Sequence, residues 1–271
     1  MNKYLLLNPS IFDPQQLSYE EISSLKAEPG NIAMIDNIVF PEVLVKQLRL
    51  QLVKEDGELY RHSKKWYSEM DDSQKCCLGG WITSSHGVNG LAFLIDKSMY
   101  QKTPEGKKGF IRIFDPVVLQ HLIVSLTDAQ LGALFYFIDR WEFYDLNGNI
   151  FSLEIHDRTL KEVGFTQAQW NSLERLDIIR HVVNVWSELI VEPLPFDATM
   201  QAYYHIDKAI FYGLESQLDI TVYSLIGLMY NNCFDNNPLF KEKIQRCIKG
   251  KRFAENLNIY NQSGYFSNLG N

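Results

Sequence analysis

Apolar residues recur at helix spacing near the middle of the chain. Two stripes between residues 116 and 138 follow the i, i+3, i+4, i+7 pattern of helices that pack on a core. The stripes consist of Leu119, Leu122, Ile123 and Leu126, followed by Leu131, Leu134, Phe135 and Ile138. Asp115 stands before Pro116, and Thr127 stands three residues before Gln130; both are patterns of a helix N-terminus. The sequence therefore predicts two consecutive helices that begin at Pro116 and just after Thr127.

Short apolar runs bounded by turn residues predict strands around these helices. The predicted strands cover residues 31–40, 77–85 and 109–114, and two more flank Asn147-Gly148, a strong hairpin signal. Helices are predicted for residues 41–52 and 88–101, and the charged segment 60–75 is interpreted as a surface connection. This order of elements predicts an α/β (α+β) fold in which a mixed sheet carries flanking helices.

The pattern becomes helical after Gly164. Thr166 and Gln169 form a second capping box, and a long apolar stripe follows as far as residue 189. Asp197 and Asp219 are predicted to cap two further helices. The predicted organisation is an N-terminal extension (1–30), an α/β lobe (31–160) and an all-helical C-terminal lobe (161–271).

The charge of the chain excludes some classes of partner. The formal net charge is −7 and the isoelectric point is about 5.4, which argues against a general nucleic-acid binder and against docking on anionic lipid. The first residues lack the apolar run of a secretory leader, and no apolar run approaches the ~20 residues of a membrane helix. The four cysteines lack zinc-site spacing. We therefore expect a cytoplasmic protein that does not insert into membranes.

Catalytic and ligand motifs are not evident in the sequence. Ser84, Ser85 and His86 are adjacent, but a catalytic Ser–His pair is assembled through space, and no G-x-S-x-G elbow is present. The six histidines form no H-E-x-x-H motif, and Gly79-Gly80 lacks the rest of a phosphate-binding loop. We predict no catalytic, metal-binding or cofactor-binding residues, and thus no enzyme.

Arg112 and Asp115 are the residues that most resemble a reactive pair, and two interpretations of them remain open. Asp115 could be a catalytic carboxylate tuned by the arginine. It could also be a helix cap, braced by a salt bridge to Arg112. No second carboxylate, histidine or metal ligand accompanies them nearby, so the cap is the favoured interpretation.

An aromatic-rich segment at residues 203–214 is the candidate for partner binding. At helix spacing Tyr204 and Phe211 share one face, which suits a core position, and Tyr203 and Tyr212 would then be partly exposed elsewhere. Aromatic residues are enriched in protein interfaces. All four residues are therefore candidates for contact with another protein.

The central stretch resembles the adaptor-chaperone family of type VI secretion, whose genes lie beside spike-tip and effector genes. The matching residues are Arg112, Asp115, Pro116, Leu119, Thr127, Gln130 and Trp141. Residues 31–44, 79–85 and 224–244 are similar to further family segments in the same order. Residues 66–78 depart from the family, because they are polar and contain Cys76-Cys77 where an apolar, proline-containing segment is usual.

The resemblance implies a function without catalysis. Members bind a cognate toxic effector in the bacterial cytoplasm, keep it soluble and deliver it to the spike-tip protein. The expected partners are therefore an effector and a spike-tip protein, with Arg112, Asp115, Pro116 and Trp141 as structural family positions. Two alternatives stay open: a small hydrolase whose site is assembled through space, and an immunity-type protein that blocks a toxin.

Overall fold

The chain forms two compact units in a computed structural model, Met1–Leu173 and Glu174–Asn271. The structure describes residues 1–8, 30–36, 47–54, 57–69, 78–156, 158, 164–230, 234–238, 240–242 and 244. The fold is of the mixed α/β class, as predicted. The sequence placed the domain boundary between residues 160 and 161, and the structure places it after Leu173.

The first unit is built on a six-stranded sheet. Its strands are β1 (Asn2–Leu7), β2 (Ile32–Asp36), β3 (Gln47–Val53), β4 (Leu78–Ser84), β7 (Arg140–Tyr144) and β8 (Ile150–Glu154), in the order β2-β3-β1-β4-β7-β8. A separate hairpin joins β5 (Tyr100–Lys102) to β6 (Lys108–Phe110). Every neighbouring pair of described strands is antiparallel, so the predicted mixed sheet is wrong for this part of the chain.

Among the described residues, five helices accompany this sheet, and three helices belong to the second unit. The first unit contains α1 (Glu58–Glu69), α2 (Val88–Met99), α3 (Pro116–Ser125), α4 (Asp128–Leu134) and α5 (Gln167–Glu174), which ends at the boundary. The second contains α6 (Leu176–Leu189), α7 (Ala198–Phe211), α8 (Gln217–Met229) and a 3-10 turn at Phe234–Asn236. The elements described in the second unit are therefore all helical.

Residues 2–7 are a central strand rather than part of an extension. β1 hydrogen-bonds to β3 on one side and to β4 on the other, and residues 4–7 are all buried. A strand covered on both faces shows a continuous apolar run without alternation, so its pattern does not distinguish it from a short apolar lead-in. The predicted extension is wrong for these residues, and residues 9–29 lie outside the described part.

Two further predictions in the first unit are wrong. Residues 47–53 form β3 instead of the end of a helix, with Leu48 and Leu50 buried in the sheet. Residues 58–69 form helix α1 instead of a surface connection, because Tyr60 and Trp66 pack against the sheet. Residues 47–52 alternate polar and apolar side chains, a strand pattern that the helix prediction missed. In residues 58–69 burial against the sheet overrides a pattern without a clear period.

Local capping predictions are confirmed around α3 and α4. Asp115 Oδ1 accepts a hydrogen bond from Val117 N at 3.1 Å, and Pro116 occupies the first turn. Thr127 and Gln130 form the predicted capping box at the start of α4. The predicted strand 109–114 ends at Phe110, since the chain turns so that Asp115 N donates to Arg112 O at 2.9 Å. Local polar geometry thus sets where these helices begin.

Two tryptophans fill opposite faces of the sheet. Trp81 packs with Tyr60 and Trp66 of α1, and its Nε1 donates to Ser63 Oγ at 2.9 Å. Trp141 is fully buried beside Phe135, and its Nε1 donates to Gly79 O at 2.8 Å. Each buried indole N–H therefore has an acceptor, which removes the cost of burying an unpaired donor.

The helices of the second unit begin at positions that the sequence predicted only in part. The long predicted stripe is divided between α5 and α6, which are separated at Arg175. Helix α7 begins after Asp197, but that side chain forms no cap hydrogen bond. Ser216, rather than Asp219, caps α8 by accepting from Asp219 N at 3.4 Å.

Candidate functional site

An exposed aromatic surface lies on α7 in the second unit. Tyr204, Lys208 and Phe211 recur at i, i+4 and i+7, so they share one side of the helix. Phe211 is 84% exposed and Tyr204 is 55% exposed. The Lys208 ammonium lies 5.8 Å from the centre of the Tyr204 ring. We call these three residues the α7 aromatic face.

The inward side of α7 explains why these aromatics are exposed. Ala202, His205, Ile206 and Ala209 are buried and occupy the core-facing positions of the helix. Tyr204 and Phe211 fall on the opposite side, so the expectation that they are core residues is wrong. The sequence identified the aromatic pair, but it could not show which side of the helix faces inward.

The other two aromatic candidates are half-buried. The guanidinium of Arg175 lies 5.8 Å from the centre of the Tyr203 ring, and Arg175 also pairs with Asp207. Tyr212 directs its hydroxyl inward, where it donates to Asp235 Oδ2 at 2.7 Å. Tyr203 and Tyr212 therefore contact neighbouring side chains of the same unit, and they add little to its exposed aromatic surface.

Asp235 is the centre of a buried polar network beneath the α7 aromatic face. Its side chain is 0% exposed. Oδ1 accepts from Lys208 Nζ at 2.9 Å, and Oδ2 accepts from the hydroxyls of Tyr212 at 2.7 Å and Tyr223 at 3.1 Å. The carboxylate thus connects the 3-10 turn to α7 and α8. A buried charge with this many donors is well compensated.

The network fixes the ionisation of its members. Burial alone would raise the pKa of Asp235, but hydrogen bonds from Lys208 and Tyr212 outweigh burial and hold that pKa below its usual range. Burial lowers the pKa of Lys208, but the hydrogen bond to Asp235 raises it. The net effect is a raised pKa. Burial, together with Asp235, raises the pKa of Tyr223. Asp235 is therefore a stable anion that holds structure, and it is a poor base.

Aromatic side chains continue this network into an apolar cluster. The Tyr223 ring lies 4.8 Å from Phe234, and Phe234 lies 5.3 Å from Phe240, measured between ring centres. Tyr212 stands 6.0 Å from Tyr223 and 5.9 Å from the exposed Phe211. The exposed face is thus backed by closely spaced rings and by the buried Asp235 carboxylate.

The residues that carry the family resemblance have structural positions. Trp141 is buried in the sheet, Pro116 is buried in the first turn of α3, and Asp115 is the cap of that helix. Arg112 is half-buried in the turn that precedes Asp115. The geometry favours the capping interpretation of Asp115 over a catalytic one.

The adjacent serine and histidine do not form a catalytic arrangement. The buried Ser84 hydroxyl donates to Phe137 O at 2.7 Å and accepts from the backbone N of His86 at 3.1 Å. The hydroxyl therefore stabilises the turn after β4. Among the described residues no group of three or more His, Cys, Asp or Glu is arranged to hold a metal ion.

The structure contains a buried histidine–serine pair that the sequence did not predict. His121 on α3 and Ser172 on α5 are 0% and 1% exposed, and His121 Nε2 lies 2.8 Å from Ser172 Oγ. Ser172 Oγ donates to Gln169 O at 2.8 Å, so the histidine must donate from Nε2. Burial lowers the pKa of His121 to about 4. A separation of 51 residues hides this pair from any local motif.

Comparison with known proteins finds no matching family model, no matching curated protein and no matching solved structure. Among the described helices, none combines the length and the apolar content needed to cross a membrane. The chemistry of the described residues is therefore the basis for any functional conclusion.

Proposed function

We propose that this protein is an adaptor-chaperone of type VI secretion. It binds a cognate effector in the bacterial cytoplasm and delivers it to the spike-tip protein. The observation that carries this proposal is the α7 aromatic face, where Phe211 is 84% exposed at the end of the helix. Large exposed aromatics on a folded surface are typical of protein interfaces.

The sequence resemblance supports the same proposal from separate residues. Asp115, Pro116, Thr127 and Gln130 begin two capped helices in the order that the family shows. This agreement concerns the scaffold and does not involve the α7 aromatic face. The two lines of support can therefore fail independently.

The physical role of the face would be to cover an apolar segment of the effector. Tyr204 and Phe211 offer two rings with few internal degrees of freedom, so little entropy is lost when a partner contacts them. Lys208 is held inward by Asp235, so it adds little free positive charge to the surface. An apolar, weakly charged effector segment fits this face best.

Binding to the proteins encoded by neighbouring genes tests the proposal. We expect the purified chain to bind the product of a neighbouring effector gene. Tyr204→Ser combined with Phe211→Ser should weaken that binding by about 100-fold, because removing two interface anchors costs about 2–4 kcal/mol. Leu189→Ser is the matched control, since Leu189 is 54% exposed on α6 of the same unit.

Three outcomes separate this function from the alternatives. Failure to bind the neighbouring effector and spike-tip proteins would contradict the adaptor proposal. Protection of cells from the toxin, with unchanged export, would show an immunity-type protein. Turnover of ester or amide substrates that His121→Gln abolishes would show a hydrolase.

A further inference from the structure

β2 forms one end of the sheet in the first unit. Within the described residues it hydrogen-bonds to a strand on one side only, which is β3. Leu52 N donates to Asn31 O at 2.8 Å, so the odd-numbered residues of this segment bond to β3. The backbone N–H and C=O groups of Ile32 and Met34 therefore point away from β3. Such an edge is a template for another extended chain.

A groove runs between this edge and helix α2. Residues 32–35 line one side, and Asn89, Ala92, Phe93 and Asp96 line the other. These four helix residues recur at i, i+3, i+4 and i+7, so they form one face along the strand. The groove encloses about 480 Å³, within the range of sites that bind ligands.

The walls of the groove combine apolar surface with one acid. Phe93 is 65% exposed and Met34 is 41% exposed, while Ala33 and Ile35 are buried. Asp96 is the charged side chain among the described lining residues. A strand placed along β2 would cover Phe93 and Met34 and would meet the carboxylate of Asp96.

We propose that the β2 edge and the α2 groove bind an extended segment of another polypeptide. The segment adds to β2 as a strand, places an apolar side chain against Phe93 and carries a lysine or arginine beside Asp96. Backbone hydrogen bonds would give affinity, and the alternate side chains would give specificity. This surface is separate from the α7 aromatic face, and the proposal does not rest on the function proposed above.

Charge favours a basic partner segment over a second copy of this chain. The chain has a formal net charge of −7, so two copies repel each other. Antiparallel pairing of β2 with itself would also place two Asp96 carboxylates on the same face of the joined sheet. A segment with a basic residue instead places opposite charges together, which aids both specificity and the rate of association.

A display library of random nine-residue peptides, selected against the full chain, tests the proposal. We expect selected peptides in which apolar and polar residues alternate and at least one lysine or arginine recurs. Changing that basic residue to glutamate should weaken binding about tenfold. Phe93→Ala should weaken binding by a similar factor, as removal of a moderate interface anchor does.

Met34→Pro is the decisive variant, with Ile150→Pro as its control. Proline at position 34 removes an outward N–H and leaves the bonds from β2 to β3 intact. Ile150 lies on β8 at the other end of the sheet, and its N–H also points outward, because Asp145 N bonds to Asn149 O. Met34→Pro should abolish peptide binding, and Ile150→Pro should leave it unchanged.

Four results would overturn the proposal. The first is a library without enrichment, and the second is a set of selected peptides that bind the Met34→Pro variant as tightly as the unmodified chain. The third is slow amide exchange of Ile32 and Met34 in the free monomer, which would show that the chain itself covers this edge. The fourth is a dimer that Met34→Pro dissociates, which would assign the edge to a second copy.

Discussion

The two units stabilise their buried polar groups in different ways. In the first, neutral donors such as the indoles of Trp81 and Trp141 each find one acceptor inside a sheet core. In the second, the Asp235 carboxylate is buried and collects three donors, from Lys208 on α7, from Tyr212 directly after α7 and from Tyr223 on α8. The first unit should therefore be sensitive to changes of shape, and the second to changes of charge.

The largest effect is expected from Gly80→Ala in the first unit. Gly80 has φ +104°, and an added Cβ would lie 2.2 Å from the backbone oxygen of Glu142 on the neighbouring strand. Neither backbone can move without breaking the pairing of β4 with β7. We expect a loss of about 4 kcal/mol or more in the free energy of unfolding, measured by denaturant titration with hydrogen exchange as the local readout.

Gly227→Ala in the second unit is the matched substitution for Gly80→Ala. Its added Cβ would lie 2.2 Å from the His205 ring, which is a side chain rather than a backbone. Overpacking costs about 1–3 kcal/mol, and replacing a helical glycine regains about 1 kcal/mol, so the net loss should be smaller. Equal losses for the two variants would contradict the contrast in shape sensitivity.

Removing the buried charge should be the next largest effect. Asp235→Ala leaves Lys208 without its carboxylate and two tyrosine hydroxyls without their acceptor. We expect the second unit to lose about 3 kcal/mol, as when one partner of a buried ion pair is removed. Asp207→Ala, which breaks the exposed pair with Arg175, should cost less than about 1 kcal/mol. A loss for Asp235→Ala as small as that control would contradict the anchoring role.

As the pH falls, the first unit should lose stability before the second. His121 has a pKa of about 4 in the folded chain, against 6.5 for an ordinary histidine, so its stabilising contribution is complete above pH 6.5. Protons bind the unfolded state first as the pH falls, and the first unit should lose about 2 kcal/mol by pH 5. Asp235 has a lowered pKa, so its contribution to the second unit is lost only below pH 3.8.

Hydrogen exchange followed from pH 7 to pH 3 measures this order. His121→Gln keeps a donor for Ser172 but cannot take up a proton, so it should flatten the pH dependence of the first unit between pH 6.5 and 4. Simultaneous loss of both units at one pH, or an unchanged slope in His121→Gln, would contradict the assignment.

The smallest effect concerns the cap of α3. Asp115→Ala removes the acceptor for Val117 N, and we expect a loss of about 1 kcal/mol in the stability of the first unit. Asp115→Asn keeps a cap oxygen and should restore most of that stability. A loss of partner binding at unchanged stability would instead place Asp115 in an interface.

Local chemistry was predictable from the sequence, and long-range pairing was not. The caps at Asp115 and Thr127 and the hairpin at Asn147-Gly148 depend on residues within four positions of each other. β1 and β3 become strands because they pair with each other across more than 40 residues. β1 ends in a continuous apolar run, whereas residues 47–52 of β3 alternate polar and apolar side chains, a strand signal that the helix prediction missed. Neither pattern identifies the partner strand.

The candidate site was predictable only as a helix that carries aromatic residues. Its inward side is set by packing against other helices, which reversed the expected roles of Tyr204 and Phe211. Asp235 stands 27 residues from Lys208 and 12 from Tyr223, so no motif connects them. The charge anchor of the second unit could be found only in three dimensions.

Effector export from a deletion strain is the most direct test of the proposed function. Expression of the unmodified chain, or of the Leu189→Ser control, should restore export of the neighbouring effector. Tyr204→Ser combined with Phe211→Ser should fail to restore export although the protein is folded and present at the same level. Full export with that double variant would contradict the claim that the α7 aromatic face binds the effector.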